Sequence, residues 1–105
     1  MPPSIQVNQS AHRAFGRLIR LTLDGDTRLD FTAEEAATVS RALTAVRERR
    51  SAEREIYMSP IASDHEFTGS VLPEGVRVTV AGHSADLFWD DVDRLARDLI
   101  NPPPE

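Results

Sequence analysis

The sequence predicts an α+β domain in which an antiparallel sheet of about five strands carries one long and one short helix on one face. Three observations lead to this fold class. Short segments alternate apolar and polar residues, which is the period of half-buried strands. Two longer segments repeat apolar residues at three- and four-residue steps, as amphipathic helices do. Residues 19–25 also match residues 76–82 without a gap, so each half reads as strand, turn, strand and helix.

The length and composition are those of a globular protein. The chain has 105 residues, of which 40% are hydrophobic and 28% are charged, and this predicts one domain with flexible tails at residues 1–10 and 101–105. There is no cysteine, which excludes disulfides, thiolate metal ligands and cysteine nucleophiles. No apolar run is long enough to cross a membrane, and no signal-peptide pattern precedes the first strand. We expect a cytoplasmic protein without membrane contact.

The charge pattern excludes several further kinds of site. The net charge is −5, and all 12 basic residues are arginine. A chain without lysine has no Schiff-base lysine and no P-loop lysine. The exclusive use of arginine is typical of a GC-rich coding sequence. We expect a bacterial or phage protein. An acidic balance also disfavours binding to nucleic acid through its phosphates.

In the first half, residues 1–9 have the composition of an irregular arm. Residues 19–23 alternate in the period of a strand, and Asp24 and Gly25 form the dipeptide typical of a hairpin turn. The return strand ends at Phe31.

A long helix is predicted over residues 32–58. Thr32 and Glu35 have the spacing of a capping box, and the helix is expected to end before Pro60. The second half of this segment is charged on nearly every side. It keeps only a narrow apolar stripe, formed by Ala45, Ala52 and Ile56.

The second half of the chain repeats the order. We expect a loop over residues 59–66, strands over 67–72 and 76–80, a return at 87–88 and a short helix from 90 or 91 to 100. The gapless match pairs Phe31 with Phe88, so both rings are expected to face the helices. Either a duplication or the repeated solution of one packing problem explains the match.

The motifs that suggest catalysis or metal binding fail on their geometry. Residues 24–35 have the length of a calcium loop, but Arg28 and Leu29 occupy the positions of a ligand and of the turn glycine. Residues 63–65 and 83–86 hold Ser, His and Asp too close in sequence to align as a triad. We therefore predict no catalytic residue, no metal and no cofactor.

These exclusions favour a non-enzymatic accessory or regulatory protein that acts through protein–protein contacts. The helix of about 26 residues, roughly 39 Å long, would overhang its domain, so its distal end predicts a homodimer. The expected binding residues are Arg47, Arg50, Arg54, Ile56, Tyr57 and Trp89.

Two alternatives from other functional classes stay open. One is a small enzyme or ligand-binding protein with a pocket formed by His83, Asp86 and Trp89. The other is nucleic-acid binding through Arg20, Arg77 and the helix segment Arg47–Arg54. A concave pocket would favour the first, whereas a continuous basic sheet face would favour the second.

Overall fold

The computed structural model describes residues 5–103, which form seven strands and two helices. In chain order these are β1 (Ile5–His12), β2 (Gly16–Leu23), β3 (Thr27–Phe31), α1 (Ala33–Arg47), β4 (Glu55–Met58), β5 (Phe67–Leu72), β6 (Gly75–Val80), β7 (His83–Phe88) and α2 (Trp89–Ile100). The α+β class is thereby confirmed. The strands form two antiparallel sheets, in the orders β1-β2-β3 and β4-β5-β6-β7, rather than the single sheet of about five strands that the sequence predicted.

The two sheets and the two helices share one core. In the first sheet, Val7, Leu21 and Leu29 lie opposite one another in register and are buried. Phe31 meets Phe67 of the second sheet edge-to-face, with 6.0 Å between the ring centroids. Aromatic pairs prefer this arrangement, so the contact stabilises the packing of one sheet against the other.

The second sheet has one buried face and one open face. Opposite residues in its inner row are all buried; they are Ile56, Gly69, Val78 and Ala85. The neighbouring row projects to the other side and is polar or partly exposed; it consists of Tyr57, Thr68, Thr79 and Ser84. We call this second side the outer face.

The predicted start of α1 is confirmed. The Thr32 hydroxyl accepts from the amide of Glu35 at 3.1 Å, and the Glu35 carboxylate accepts from the amide of Thr32 at 2.8 Å. This reciprocal capping box satisfies two amides that the first helical turn leaves without partners.

The predicted end of this helix is wrong: α1 ends at Arg47 and does not continue to residue 58. The Arg50 amide donates to Ala45 O at 2.8 Å, and the Arg49 amide donates to Val46 O at 3.2 Å. Arg49 takes a positive φ of 59°, so this is a Schellman closure with arginine where glycine is usual.

The segment that follows forms β4 because its residues alternate. Ile56 is buried between exposed Glu55 and exposed Tyr57. In a helix these three side chains would point in three directions, whereas in a strand only Ile56 faces the core. Burial of that isoleucine and pairing with β5 outweigh the helix propensity of the charged residues before it.

The amino-terminal segment also differs from the expectation. Residues 5–9 were expected to be an irregular arm, but they belong to β1. Val7 is buried against the core in this strand. Residues 1–4 and 104–105 lie outside the described residues.

The repeat shows why the gapless match misplaced Phe88. Leu23 pairs with Thr27 across a three-residue turn, whereas Val80 pairs with His83 across a two-residue turn. The second unit is therefore one residue shorter at the turn. After the turn the spacing between matching positions falls from 57 to 56 residues, which changes every later pairing.

With the shorter spacing, Phe31 corresponds to Leu87, and both are buried. Phe88 corresponds to Thr32, and both are N-cap residues. Phe88 is 66% exposed, so the expectation that it faces the helices is wrong. The order strand, turn, strand, helix does recur. A duplication stays a prediction.

The helices pack against each other across the middle of the molecule. The hydroxyl of Ser40 on α1 donates to the carbonyl of Ala96 on α2 at 2.6 Å, in a buried position. Small side chains on both helices allow this close approach. No helix within residues 5–103 has the length and apolar character needed to cross a membrane.

Candidate functional site

Strand β4 is an outer strand of the second sheet, with β5 as its neighbour. The Val71 amide donates to Arg54 O at 2.8 Å, which fixes the hydrogen-bond phase of this ladder. Hydrogen-bonded and non-bonded pairs alternate in an antiparallel ladder, so Glu55 and Tyr57 direct their N–H and C=O groups away from β5. No hydrogen bond within residues 5–103 reaches these outward groups. We call them the open edge of β4.

Apolar groups border the open edge. Tyr57 of this edge is 60% exposed. A cavity of about 250 Å³ lies between the end of α1 and β4. It is lined by Ala42, Val46, Ser51, Glu53, Glu55, Ile56 and Tyr57. The apolar part of this lining, from Ala42, Val46 and Ile56, therefore lies beside backbone groups that can still accept and donate hydrogen bonds.

The edges of the first sheet carry hydrogen-bond partners from the chain itself. On β1, the Gln9 amide donates to Pro103 O at 3.3 Å, and the Gln9 side chain donates to Pro102 O at 3.3 Å. Proline carbonyls accept hydrogen bonds, but proline has no backbone N–H. This segment therefore cannot donate hydrogen bonds to a further strand. On β3, the Ser63 hydroxyl accepts from Asp30 N at 2.8 Å and donates to Asp30 O at 3.1 Å.

Strand β7 is the other outer strand of the second sheet. Trp89 N donates to Glu74 O at 3.1 Å, so by the same alternation the backbones of Ser84, Asp86 and Phe88 point outward. Here the outer face is polar, apart from the Phe88 ring. The inner side of β7 packs on α2, and Ala85 and Leu87 are buried there. The cavity described above lies at β4, which forms the opposite edge of this sheet.

Two of the predicted binding residues come together. The Arg47 guanidinium lies 5.7 Å from the centroid of the Trp89 ring, and its Nε lies 3.2 Å from an Asp93 carboxylate oxygen. The Trp89 indole N–H donates to Pro73 O at 3.1 Å. Arg47 and Trp89 thus hold the end of α1 against the start of α2, and the Arg47 Nε and the indole N–H of Trp89 both donate within the chain.

The other predicted binding residues lie at or before β4. Arg50 and Arg54 are exposed, and Arg50 pairs with Glu48 at 2.7 Å. Ile56 is only 6% exposed and lies in the core, whereas Tyr57 faces outward. The overhanging helix that predicted a homodimer does not exist, because α1 ends at Arg47.

The structure does not bring His83, Asp86 and Trp89 into one pocket. The Asp86 carboxylate accepts from the Arg77 guanidinium at 2.7 and 3.1 Å on the outer face. This hydrogen bond lowers the pKa of Asp86, and the same contact raises the pKa of Arg77. His83 begins β7, three residues before Asp86, and Trp89 begins α2.

The arginines considered for nucleic-acid binding are spread over separate surfaces. Arg20 lies on β2 of the first sheet and binds Asp30 through two contacts, at 2.9 and 3.2 Å. Arg77 lies on β6 of the second sheet and binds Asp86 in the same two-contact manner. Each guanidinium thus faces a carboxylate, which opposes attraction of phosphates.

The described residues also contain no group of three or more His, Cys, Asp or Glu side chains placed to hold a metal ion. Glu35, the last position of the calcium-like segment, instead accepts hydrogen bonds from the amides of Thr32 and Ile61. Its carboxylate anchors the loop that follows β4.

The sequence pattern indicated Tyr57 as a binding residue but not the open edge. Residues 55–58 were predicted to be helical, and a helix has no unpaired strand edge. The alternation of Glu55, Ile56 and Tyr57 was the signal that distinguishes a strand here. Comparisons of the chain with models of protein families, with curated proteins and with solved structures find no match.

Proposed function

We propose that this protein is a non-enzymatic protein-binding domain that takes up an extended segment of a protein partner along β4. The observation that carries the proposal is the open edge of β4, whose backbone groups lie beside an apolar cavity. Addition of a strand to a sheet edge is a common mode of peptide recognition, in which the backbone supplies affinity and alternate side chains supply specificity.

The open edge offers two donors and two acceptors, from Glu55 and Tyr57. An added antiparallel strand can therefore make up to four hydrogen bonds, each contributing about 0.5–1.5 kcal/mol. The partner residue opposite Ile56 would project to the inner side, toward the cavity. Burying one large apolar side chain there contributes roughly 1.5–3 kcal/mol. The partner segment is thus expected to carry an apolar residue between two residues that face outward.

Selection from a library of random 12-residue peptides tests this proposal. Peptides enriched on the wild-type protein should bind with an apolar residue at the central position. The Glu55→Pro variant removes one outward donor and no backbone hydrogen bond to β5, together with the 3.2 Å bond from the Ser70 hydroxyl to the Glu55 carboxylate. The loss of the outward donor should weaken binding by roughly 2- to 12-fold.

The matched control is Ser84→Pro, which removes an outward amide from β7 instead. Both variants should melt as cooperatively as the wild type, since proline is tolerated where an edge amide faces outward. Peptides that bind Glu55→Pro as well as the wild type would contradict the proposal, as would a selection that enriches nothing on a protein that is monomeric.

A further inference from the structure

We infer that the segment taken up by β4 is β4 of a second copy of this chain, paired antiparallel about a two-fold axis at Ile56. The inference rests on the proposed function, since it names the partner of the same edge. In this register Glu55 of one copy lies opposite Tyr57 of the other. The symmetric contact joins the two four-stranded sheets into one sheet of eight strands.

This register uses every group of the open edge. The outward N–H and C=O of Glu55 meet those of Tyr57 in the second copy, and the symmetric pair repeats the exchange, for four hydrogen bonds. A register centred on Glu55 would instead place two carboxylates directly opposite each other, which is unfavourable. A register centred on Tyr57 would place Glu55 opposite Ser59, next to Pro60, which has no amide to donate.

The inner side of the pair is also self-complementary. The axis at Ile56 brings together the cavities of both copies, each lined by Ala42 and Val46 on α1. Ala42 is partly exposed and small, so the two helices can approach along this flank. The pairing removes apolar surface from water in both copies at once, including part of the exposed Tyr57 ring.

The edges of the molecule favour this closed pair over an open chain of copies. A copy that offered β7 to β4 would leave one free edge at each end and would continue into a fibre, whereas a two-fold pair closes. On β1, Gln9 bonds to Pro102 and Pro103, and the cavity beside this strand is lined by the charged Arg94 and Asp98. On β3, Asp30 bonds to Ser63. Among the edges of the described sheets, β4 combines unpartnered backbone groups with an apolar cavity.

Sedimentation equilibrium from 1 to 500 µM tests the inference on the wild type, Glu55→Pro and Ser84→Pro. The wild type should form dimers in this range. Glu55→Pro occurs twice in the dimer and removes two of the four hydrogen bonds, so it should raise the dissociation constant about tenfold or more. Ser84→Pro should dimerise as the wild type does. A wild type that stays monomeric, or a dimer weakened only by Ser84→Pro, would overturn the inference.

Cross-linking checks the register, and the absence of native cysteine makes single-cysteine variants clean. A mixture of Glu55→Cys and Tyr57→Cys chains places the two thiols on directly opposite residues, with Cα atoms about 5.5 Å apart. Because a disulfide accepts this distance, mild oxidation should cross-link the mixture. A Ser84→Cys chain mixed with either variant should stay uncross-linked. Equal cross-linking in all mixtures would refute the register.

A synthetic peptide of residues 52–61 separates this inference from the proposed function. If the second copy is the partner, the peptide should bind the wild type and compete with dimer formation. If library peptides bind at β4 while this peptide and the second copy do not, the self-pairing is wrong and the proposed function stands. If neither kind of peptide binds and the wild type also stays monomeric, both are wrong.

Discussion

Replacing Arg49 with glycine should stabilise the protein. Arg49 closes α1 with a φ of 59°, a left-handed conformation that brings Cβ close to the following carbonyl oxygen. Glycine has no Cβ and reaches this region without that cost. The residue is exposed at the helix end, so the substitution creates no cavity.

The expected gain is the difference between two effects. The left-handed conformation costs a residue with a side chain about 1–2 kcal/mol. Glycine also makes the unfolded chain more flexible, which lowers stability by about 0.4–1 kcal/mol. The net gain in the free energy of unfolding should be about 0.5–1 kcal/mol. A gain of 1 kcal/mol corresponds to a rise in Tm of roughly 4–8 °C for a domain of this size.

Urea unfolding of three variants measures this gain and its controls. Arg49→Ala removes the charge but keeps Cβ, so its stability should stay within about 0.5 kcal/mol of the wild type. Glu48→Gly changes the neighbouring residue, whose φ is −88°, and should lose about 0.5–1 kcal/mol. If the helix continued through this point, Arg49→Gly would instead lose about 1 kcal/mol as a mid-helix glycine does. A loss of that size would refute the helix end described above.

Three further predictions concern the packing and the charges. Gly75→Ala should lower the free energy of unfolding by at least about 2 kcal/mol, measured with urea, because the new Cβ would collide with a backbone carbonyl of β7 that cannot move aside. A decrease below about 0.5 kcal/mol would contradict this contact. Ser40→Ala should lose about 0.5–1.5 kcal/mol, because it removes the buried hydrogen bond between the helices, and an unchanged unfolding midpoint would show that bond to be neutral. Arg77→Gln should raise the pKa of Asp86 toward its ordinary value in an NMR titration. Since the folded pKa of Asp86 is lowered, the pair stabilises the protein above the unfolded pKa of Asp86. This contribution is lost as the pH falls through the folded pKa. An identical titration of Asp86 in the wild type and the variant would refute the pairing.

The elements that local rules determine were predictable from the sequence. The capping box at Thr32 and the hairpin turn at Asp24 and Gly25 depend on neighbouring residues, and the structure confirms both. The end of α1 depends instead on Ile56, which gains more from burial in a sheet than the charged segment gains from helix. Propensity alone cannot weigh that tertiary contact.

The candidate site was only partly predictable for the same reason. Tyr57 was named as an exposed contact, and it is exposed. Ile56 was named beside it, but strand geometry sends adjacent side chains to opposite faces. The outward amides of β4 follow from the pairing with β5, and a sequence pattern that indicates a helix contains no information about that partner.

The succession of the strands has a consequence for how quickly this chain reaches its native state. Every hydrogen-bonded strand pair in residues 5–103 joins neighbours along the sequence, so each sheet is a meander. Short loops lose little entropy on closure, and chains with such local contacts fold faster than those that pair distant strands. The contact between Ser40 and Ala96 joins residues 56 positions apart. Docking of the two helices is therefore a non-local step, as is the pairing of Gln9 with Pro103, and we expect substitutions at the helix crossing to change the refolding rate more than substitutions in the hairpin turns.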